Sequence, residues 1–529
     1  MPPRRSLPLI VKSPVRIERS NRVVSAPITN SAALEHKREG MFRLWKPRKH
    51  EKILIVLFLL TLPLSNPWVR GDGVGYYAYA RAMLIEHRLD FQNDWKHGNE
   101  SFALSNLDAH GNVLADEYTS TGHIGNVWAV GPSLLWFPFL FVTHLGVLLC
   151  DRFGAHIAAD GFSMPYVATM AFATAFYGFL GLWLSWALAR KYFAERWAFL
   201  ATIGIWWASS LPVYMYFNPS WSHAHSAFAS ALFLWYWNRT RGARTIAQWI
   251  LLGLLSGFIV DVYYPNGALL TIPLLEGIVD YWTDFRSPGY AGAAMAPLFV
   301  RHLIYVAAFV LALLPTLITR RIIFGSSVHT GYAPVGSWSW KSPALWNVLF
   351  SADHGMLSWT PILILALIGL VRFRRSDKAF ATYAIAAFLL FYFVISLHPD
   401  WDGMSSFGNR FFVSLTPLFI LGLAAFFDWL ARAWHERRAA IAATAVTAFL
   451  IVWNLGLVFQ WGVHLIPARG PISWRGAAYN QVAVVPVDAT RTLKSYLIHR
   501  KQLMHHIEEQ DVQHIKSGQS AGSGSEPSR

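Results

Sequence analysis

The chain has 529 residues, of which 54% are hydrophobic, 15% aromatic and only 14% charged, and its mean hydropathy is +0.33. That balance excludes an ordinary soluble protein and makes lipid the main solvent. The formal charge of +15 does not call for nucleic acid, because much of it falls in the first fifty residues and in short loops, where it orients spans.

Residues 1–52 are polar, basic and punctuated by Pro2, Pro3, Pro8, Pro14 and Pro27. They read as a disordered cytoplasmic arm without a cleavable signal. Its closing cluster, Arg43, Lys46, Arg48, Lys49 and Lys52, holds the amino end of the first span inside, so that span exits outward. Apolar windows follow at 53–68, 166–189, 199–217, 305–318, 383–397, 412–430 and 440–461. Each runs for about 15 to 24 residues, enough to cross roughly 30 Å of hydrocarbon as a helix. Strand-like alternation is missing, so the expected fold is all-α, a polytopic bundle of about eleven to thirteen spans over 53–461.

The first span opens into the longest polar stretch of the body, about 70–126, which carries Asp72, Asp90, Asp94, Asp108, Asp116 and Glu117. Within it, aromatic and apolar residues at helical spacing over 76–85 predict a short interfacial helix. Basic clusters at Arg190/Lys191/Arg196, Arg239/Arg241/Arg244, Arg372/Arg374/Arg375/Lys378 and Arg432/Arg437/Arg438 alternate with loops poor in them. The alternation works only if 127–149 does not simply cross once, because both its flanks look external. A second long external loop is expected at about 321–358, and an external tail at 462–529, disordered from about 517 where Gly and Ser accumulate. Most of the 25 Trp and 20 Tyr, such as Trp206, Trp207, Tyr214, Trp221, Tyr263 and Tyr264, read as interfacial anchors. Cys150, the one cysteine, can form no disulfide within the chain. There is no solenoid period and no pair of interrupted helices of the transporter kind.

Four features gather on the outer side. Asp72 follows a span and is flanked by Gly71 and Gly73, a setting that serves equally for a helix cap or for a catalytic carboxylate. The stretch 71–75 lacks the Lys and Ser/Thr of a phosphate loop. The loop 398–410 holds Asp400, Asp402 and Arg410, and an arginine there can fork onto a phosphate or snorkel to the interface. Asn218, His223 and His225 mark a helix turn, the two histidines pointing apart at i and i+2. His354 stands in the second long loop. Their convergence on one face favours a site over four separate accidents.

The stretches Gly-Asp-Gly-Val-Gly-Tyr-Tyr at 71–77, Leu89-Asp90-Phe91, 350–361 with Ser351-Ala352-Asp353-His354-Gly355, and Ser406-Phe407-Gly408-Asn409-Arg410-Phe411 resemble those of bacterial members of the GT-C superfamily. These are polyprenyl-phosphate-sugar glycosyltransferases, of the protein mannosyltransferase and aminoarabinose transferase type. The resemblance covers about 53–460. It implies Asp72 as catalytic base, with Tyr76, Tyr77, Asp90, Asn218, His223, His354, Asp400, Asp402 and Arg410 towards substrate, and Arg410 on the phosphate. The implied reaction is an inverting transfer from a polyprenyl-phosphate-linked sugar to a lipid, glycan or protein acceptor, outside a bacterial inner membrane. Two departures stand out. Many relatives carry an arginine in the helix matching 257–265, where this chain has Asp261-Val262-Tyr263-Tyr264. Many also pair two acids after the first span, whereas Asp72 stands alone, so neither a metal nor any other cofactor is expected.

A lipid or polysaccharide transporter, or flippase, is the rival from another class, and an inactive membrane scaffold is a third reading. A transporter places ionisable residues near mid-membrane. The acids within apolar windows here, Asp261 and Glu276, both lie towards an end.

Overall fold

The computed structural model describes residues 48–286, 295–332 and 335–522. The basic arm therefore lies, up to residue 47, outside the described residues. The chain divides after Glu51, and the unit from Lys52 onward carries the bundle. Among the described residues the secondary structure is helical, apart from two isolated bridges in the first loop, Leu107 with Val113 and Tyr118 with Ile124. The chain is an all-α polytopic membrane bundle.

Its helices, in chain order, begin with α1 (Lys49–Thr61), α2 (Asp72–Arg81), α3 (Gln92–Lys96), α4 (Glu100–Asn106), α5 (Gly131–Arg152), α6 (Met164–Ala189) and α7 (Glu195–Trp207). They continue with α8 (His223–Thr240), α9 (Ile246–Val262), α10 (Thr271–Arg286), α11 (Met295–Ala312), α12 (Leu314–Phe324), α13 (Leu345–Phe350) and α14 (Met356–Trp359). The last are α15 (Ile362–Arg372), α16 (Lys378–Leu397), α17 (Thr416–Ala433), α18 (Glu436–Gly462), α19 (Trp474–Ala483), α20 (Val485–Ile498) and α21 (Arg500–Gly522).

Among the described residues, six are long and apolar enough to cross a membrane: α5, α6, α11, α16, α17 with the turn before it, and α18. Eleven to thirteen is reached only by counting shorter helices, and a 13-residue helix such as α1 or α7 rises about 20 Å. Local chemistry shortens them. Pro63 ends the first window in a 3-10 turn, and the window 199–217 breaks after Trp207 before resuming as a π turn, Val213–Phe217.

Small residues set the closest packing. At Gly253 and Gly257, one turn apart on α9, an added Cβ would come within 2.4 and 2.5 Å of the Tyr305 and Phe309 carbonyl oxygens of α11. This is the small-xxx-small contact of lipid-embedded helices, where backbones approach because no side chain intervenes.

From Gly131 the 127–149 segment is one continuous helix, α5, antiparallel to the first half of α6: Trp136 Nε1 donates to Thr174 at 2.9 Å, and His144 lies 2.6 Å from the Tyr166 hydroxyl. Ser133 in its first turn donates to the Tyr76 carbonyl at 2.5 Å. Past its far end, the Gly161 carbonyl accepts from Tyr77 at 2.7 Å and Phe162 stacks on His97 at 4.0 Å. Both flanks thus touch the same loop, while the helix between them is long and apolar enough to cross a membrane.

The expected helix near 76–85 is present as α2, extended by a π turn, Ala82–Glu86, but it is enclosed by protein and not spread on an interface. Arg81 anchors it through two bonds to Asp94, at 2.6 and 2.7 Å. The end of α12, where the second long loop is expected to begin, is pinned to the first loop, Thr119 and Thr121 both donating to the Ile323 carbonyl at 2.6 Å.

The tail beyond 462 is ordered into α19 to α21, and α21 runs to Gly522, past the point near 517 where disorder is expected. Arg500 donates to the Ser65 carbonyl at 2.6 Å, and Tyr496 to that of Leu64 at 2.8 Å.

Candidate active site

Asp72 is the first residue of α2. The turn that delivers it needs Gly71, whose φ of +51° suits a residue without Cβ, and Gly71 N–H donates to Asn99 Oδ1 at 3.0 Å. Gly73 lets the helix lie against the 218–222 turn, for a Cβ there would sit 1.9 Å from Ser220 Oγ. With Gly71 at the N-cap, the Asp72 side chain is not the cap of α2. It reaches across the fold, and Arg410 Nη1 donates to Asp72 Oδ2 at 2.6 Å. The helix-cap alternative thereby gives way to an ion pair.

Arg410 opens a 3-10 turn, Arg410–Leu415, that leads into α17. Its side chain is 8% exposed and that of Asp72 26%, so the cation is sunk in protein while the carboxylate keeps an open side. The guanidinium lies over the Trp221 ring at 4.4 Å, and Trp221 Nε1 donates to the Arg70 carbonyl at 3.0 Å. Arg410 Nε is buried without a hydrogen-bond partner. An arginine so placed has spare donor capacity for an anion.

Around the pair stands a wall of phenols and one imidazole. Tyr76, one turn after Asp72, accepts from Ser222 at 2.9 Å. Burial, and next the charge of Asp72, hold its phenol above the ordinary range. The His223 ring stands edge-on to Tyr214 at 4.7 Å and to Tyr263 at 5.5 Å. Tyr264 lies 6.3 Å from Tyr332 and faces Arg320, whose guanidinium is 5.8 Å from its ring. His223 Nδ1 and the hydroxyl of Tyr263 are buried without partners. Such orphaned donors and acceptors are costly unless a ligand completes them.

One polar knot ties the three elements that carry these groups. Ser226 of α8 meets Ser414 at 2.6 Å, on the Arg410 turn. Asn266, just past Tyr264, donates to Ser226 at 2.9 Å and to the Ile259 carbonyl at 2.9 Å.

Other residues singled out from the sequence lie elsewhere. Tyr77 faces Gly161 and Trp136, away from Asp72. Asp90 pairs with Arg88 at 3.2 Å and lines a shallow cleft with Tyr118 and His123. The Asn218 carbonyl accepts from Trp221 N at 3.3 Å, so Asn218 serves the turn that presents Trp221 and His223. Asp400 is exposed, its N–H bonded to His398 at 3.1 Å. His225 turns away from His223, edge-on to Trp136 at 4.9 Å.

His354 and Asp402 come together on the far side of Arg410. The buried His354 Nδ1 lies 3.1 Å from the Asp402 carbonyl oxygen, and burial pushes the imidazole down to about 4. Asp353, His354 and Asp402 bring one ligand atom each within 4.8 Å of one another, the group among the described residues that could hold a metal ion.

Sequence reading missed Tyr214, Trp221, Tyr263, Tyr264 and Tyr332 as site residues, having assigned the first four to interfacial belts. For Tyr263 and Tyr264 a signal existed: they occupy the stretch where relatives carry an arginine.

No family model and no curated protein matches the chain. The chain is similar to solved structures of ArnT from Cupriavidus metallidurans, in the apo state (15% identity, covering 82% of this chain and 72% of that one, TM-score 0.42) and bound to undecaprenyl phosphate (15%, 89% and 77%, TM-score 0.42). It is also similar to the apo form of the Archaeoglobus fulgidus oligosaccharyltransferase (16%, 83% and 56%, TM-score 0.43).

Proposed function

We propose that this chain is a membrane glycosyltransferase of the GT-C type, moving a sugar from a polyprenyl phosphate to a hydroxyl acceptor at the outer face of a bacterial inner membrane, its amino terminus cytoplasmic. The observation that carries the reading is the Asp72–Arg410 pair, a half-open carboxylate on a buried cation beside an unpartnered phenol and imidazole. Arg410 suits the donor phosphate, and the hydroxyl of Tyr263 suits an uncharged, hydroxyl-rich sugar.

In this reading the incoming phosphate takes Arg410 and frees the Asp72 carboxylate. The acceptor oxygen then attacks the anomeric carbon, its bond to the phosphate oxygen breaks, and the polyprenyl phosphate leaves with the electron pair. Asp72 receives the acceptor's proton, and a single displacement inverts the anomeric centre. General-base help of this kind is worth roughly 10² to 10⁴ in rate, and the preorganised Arg410 stabilises charge developing on the leaving phosphate. No step is routed through a metal.

The test is transfer from a polyprenyl-phosphate-linked sugar in vesicles carrying wild type or Asp72→Asn. Transfer by wild type and its loss in the folded variant are expected; transfer that persists in the variant removes Asp72 as the base.

A further inference from the structure

The carboxyl-terminal helix reaches back to the segment that presents Asp72. Glu508 Oε1 accepts from Asn99 Nδ2 and from Ser101 N–H, both at 2.7 Å. Asn99 turns its own Oδ1 to Gly71 N–H at 3.0 Å. One turn on, Asp511 pairs with Arg70 at 2.5 Å and with His464 Nε2 at 2.9 Å. Glu508 is 4% exposed, and the charges it and Asp511 carry are directed at the two residues preceding Asp72 and at the helix α4 beside them.

We propose that Glu508 and Asp511 are positioning residues for Asp72, so that α21 acts as a strap fixing the Gly71 turn and with it the carboxylate. The inference rests on reading Asp72 as the base. The geometry explains why the tail folds back. Arg70 and Gly71 N–H would otherwise be a cation and a donor at the mouth of the site, free to draw the turn away from Arg410. Asp511 pairs with Arg70, and Glu508 holds the Asn99 side chain that accepts from Gly71 N–H. Two acids one turn apart on a helix are needed, because one oxygen must reach Asn99 while the other carboxylate reaches Arg70.

The test uses the full-length chain in lipid nanodiscs as wild type, Asp511→Asn, Glu508→Ala and Glu508→Gln. Hydrogen–deuterium exchange over 71–77 should accelerate at least about tenfold in Asp511→Asn, which weakens the pair with Arg70, and in Glu508→Ala, which loses the bonds from Asn99 and Ser101, with α17 unchanged. Glu508→Gln, whose amide oxygen still accepts from Asn99 and Ser101, should stay near wild type. A loosened Asp72 competes less for Arg410, so undecaprenyl phosphate, used as the probe, should bind about threefold tighter to the first two variants and unchanged to Glu508→Gln. Unaltered exchange over 71–77 in both first variants, or protection lost equally in α17, overturns the strap. If exchange accelerates but probe affinity responds neither in these variants nor in Asp72→Asn, the Arg410 phosphate reading fails and the strap stands.

Discussion

Asp72 Oδ2 and Arg410 Nη1 lie 2.6 Å apart although 338 positions separate them in the chain. The contact joins the first long loop to the turn that opens α17. A guanidinium already holding a carboxylate is a poor phosphate binder. In the proposed reaction the donor phosphate takes Arg410 and releases the Asp72 carboxylate, which would couple donor binding to activation of the base.

Substituting Asp72 should therefore move two measurements in opposite directions. Asp72→Asn keeps the shape and removes the charge. Transfer should fall by about 10² to 10⁴, the usual contribution of a general base. Undecaprenyl phosphate should bind about tenfold tighter in a titration, because its phosphate no longer competes with an anion for Arg410. Weaker binding would mean that Arg410 is not the phosphate contact.

Arg410→Lys tests the planar fork. Lysine keeps the charge but offers one compact ammonium, cannot cover Trp221 in the same way, and leaves Asp72 imperfectly paired. Weakening one side of a desolvated pair costs about 2 to 5 kcal/mol, so undecaprenyl phosphate affinity should drop by about two orders of magnitude. A Kd within a factor of two of wild type would show that charge alone suffices.

Much of this arrangement was legible in the sequence. Asp72, Tyr76, His223 and Arg410 stand out by residue type and loop position, and Asp72 and Tyr76 share a helix face at i and i+4. Tyr77 could have been set aside on the same ground, since a neighbouring helical position points about 100° away. Asn218 marks the helix turn in the sequence and its carbonyl holds that turn, but sequence does not separate a residue that builds a turn from one that meets a ligand. The phenols were hidden because a tyrosine at a membrane interface and a tyrosine above a buried ion pair look the same in a string. The strap on Arg70 was hidden by distance, as α21 lies more than four hundred positions away.

Gly73 makes a steric prediction. A Cβ there would fall 1.9 Å from Ser220 Oγ and 2.5 Å from Ser220 Cβ, so α2 and the 218–222 turn must part. Gly73→Ala should cost about 1 to 3 kcal/mol, read as a lowered Tm in detergent. Adding Ser220→Gly should restore most of it, whereas Ser220→Ala, which keeps the clashing Cβ, should not. Recovery with Ser220→Ala would place the clash elsewhere.

The unpartnered phenol allows stability and function to be separated. The hydroxyl of Tyr263 is buried with no hydrogen-bond partner, a state that costs about 1 to 3 kcal/mol for a polar group. Removing it with Tyr263→Phe should therefore leave Tm unchanged or raise it, against the usual direction for substitutions in a packed site. If that hydroxyl bonds the sugar, transfer by the same variant should fall by about tenfold, while affinity for undecaprenyl phosphate, which carries no sugar, stays level. A lowered Tm would show that the hydroxyl already serves the fold, and transfer at the wild-type rate would remove it from the sugar site. The split between the two lipids, one with a sugar and one without, is what assigns Tyr263 to the sugar and Arg410 to the phosphate.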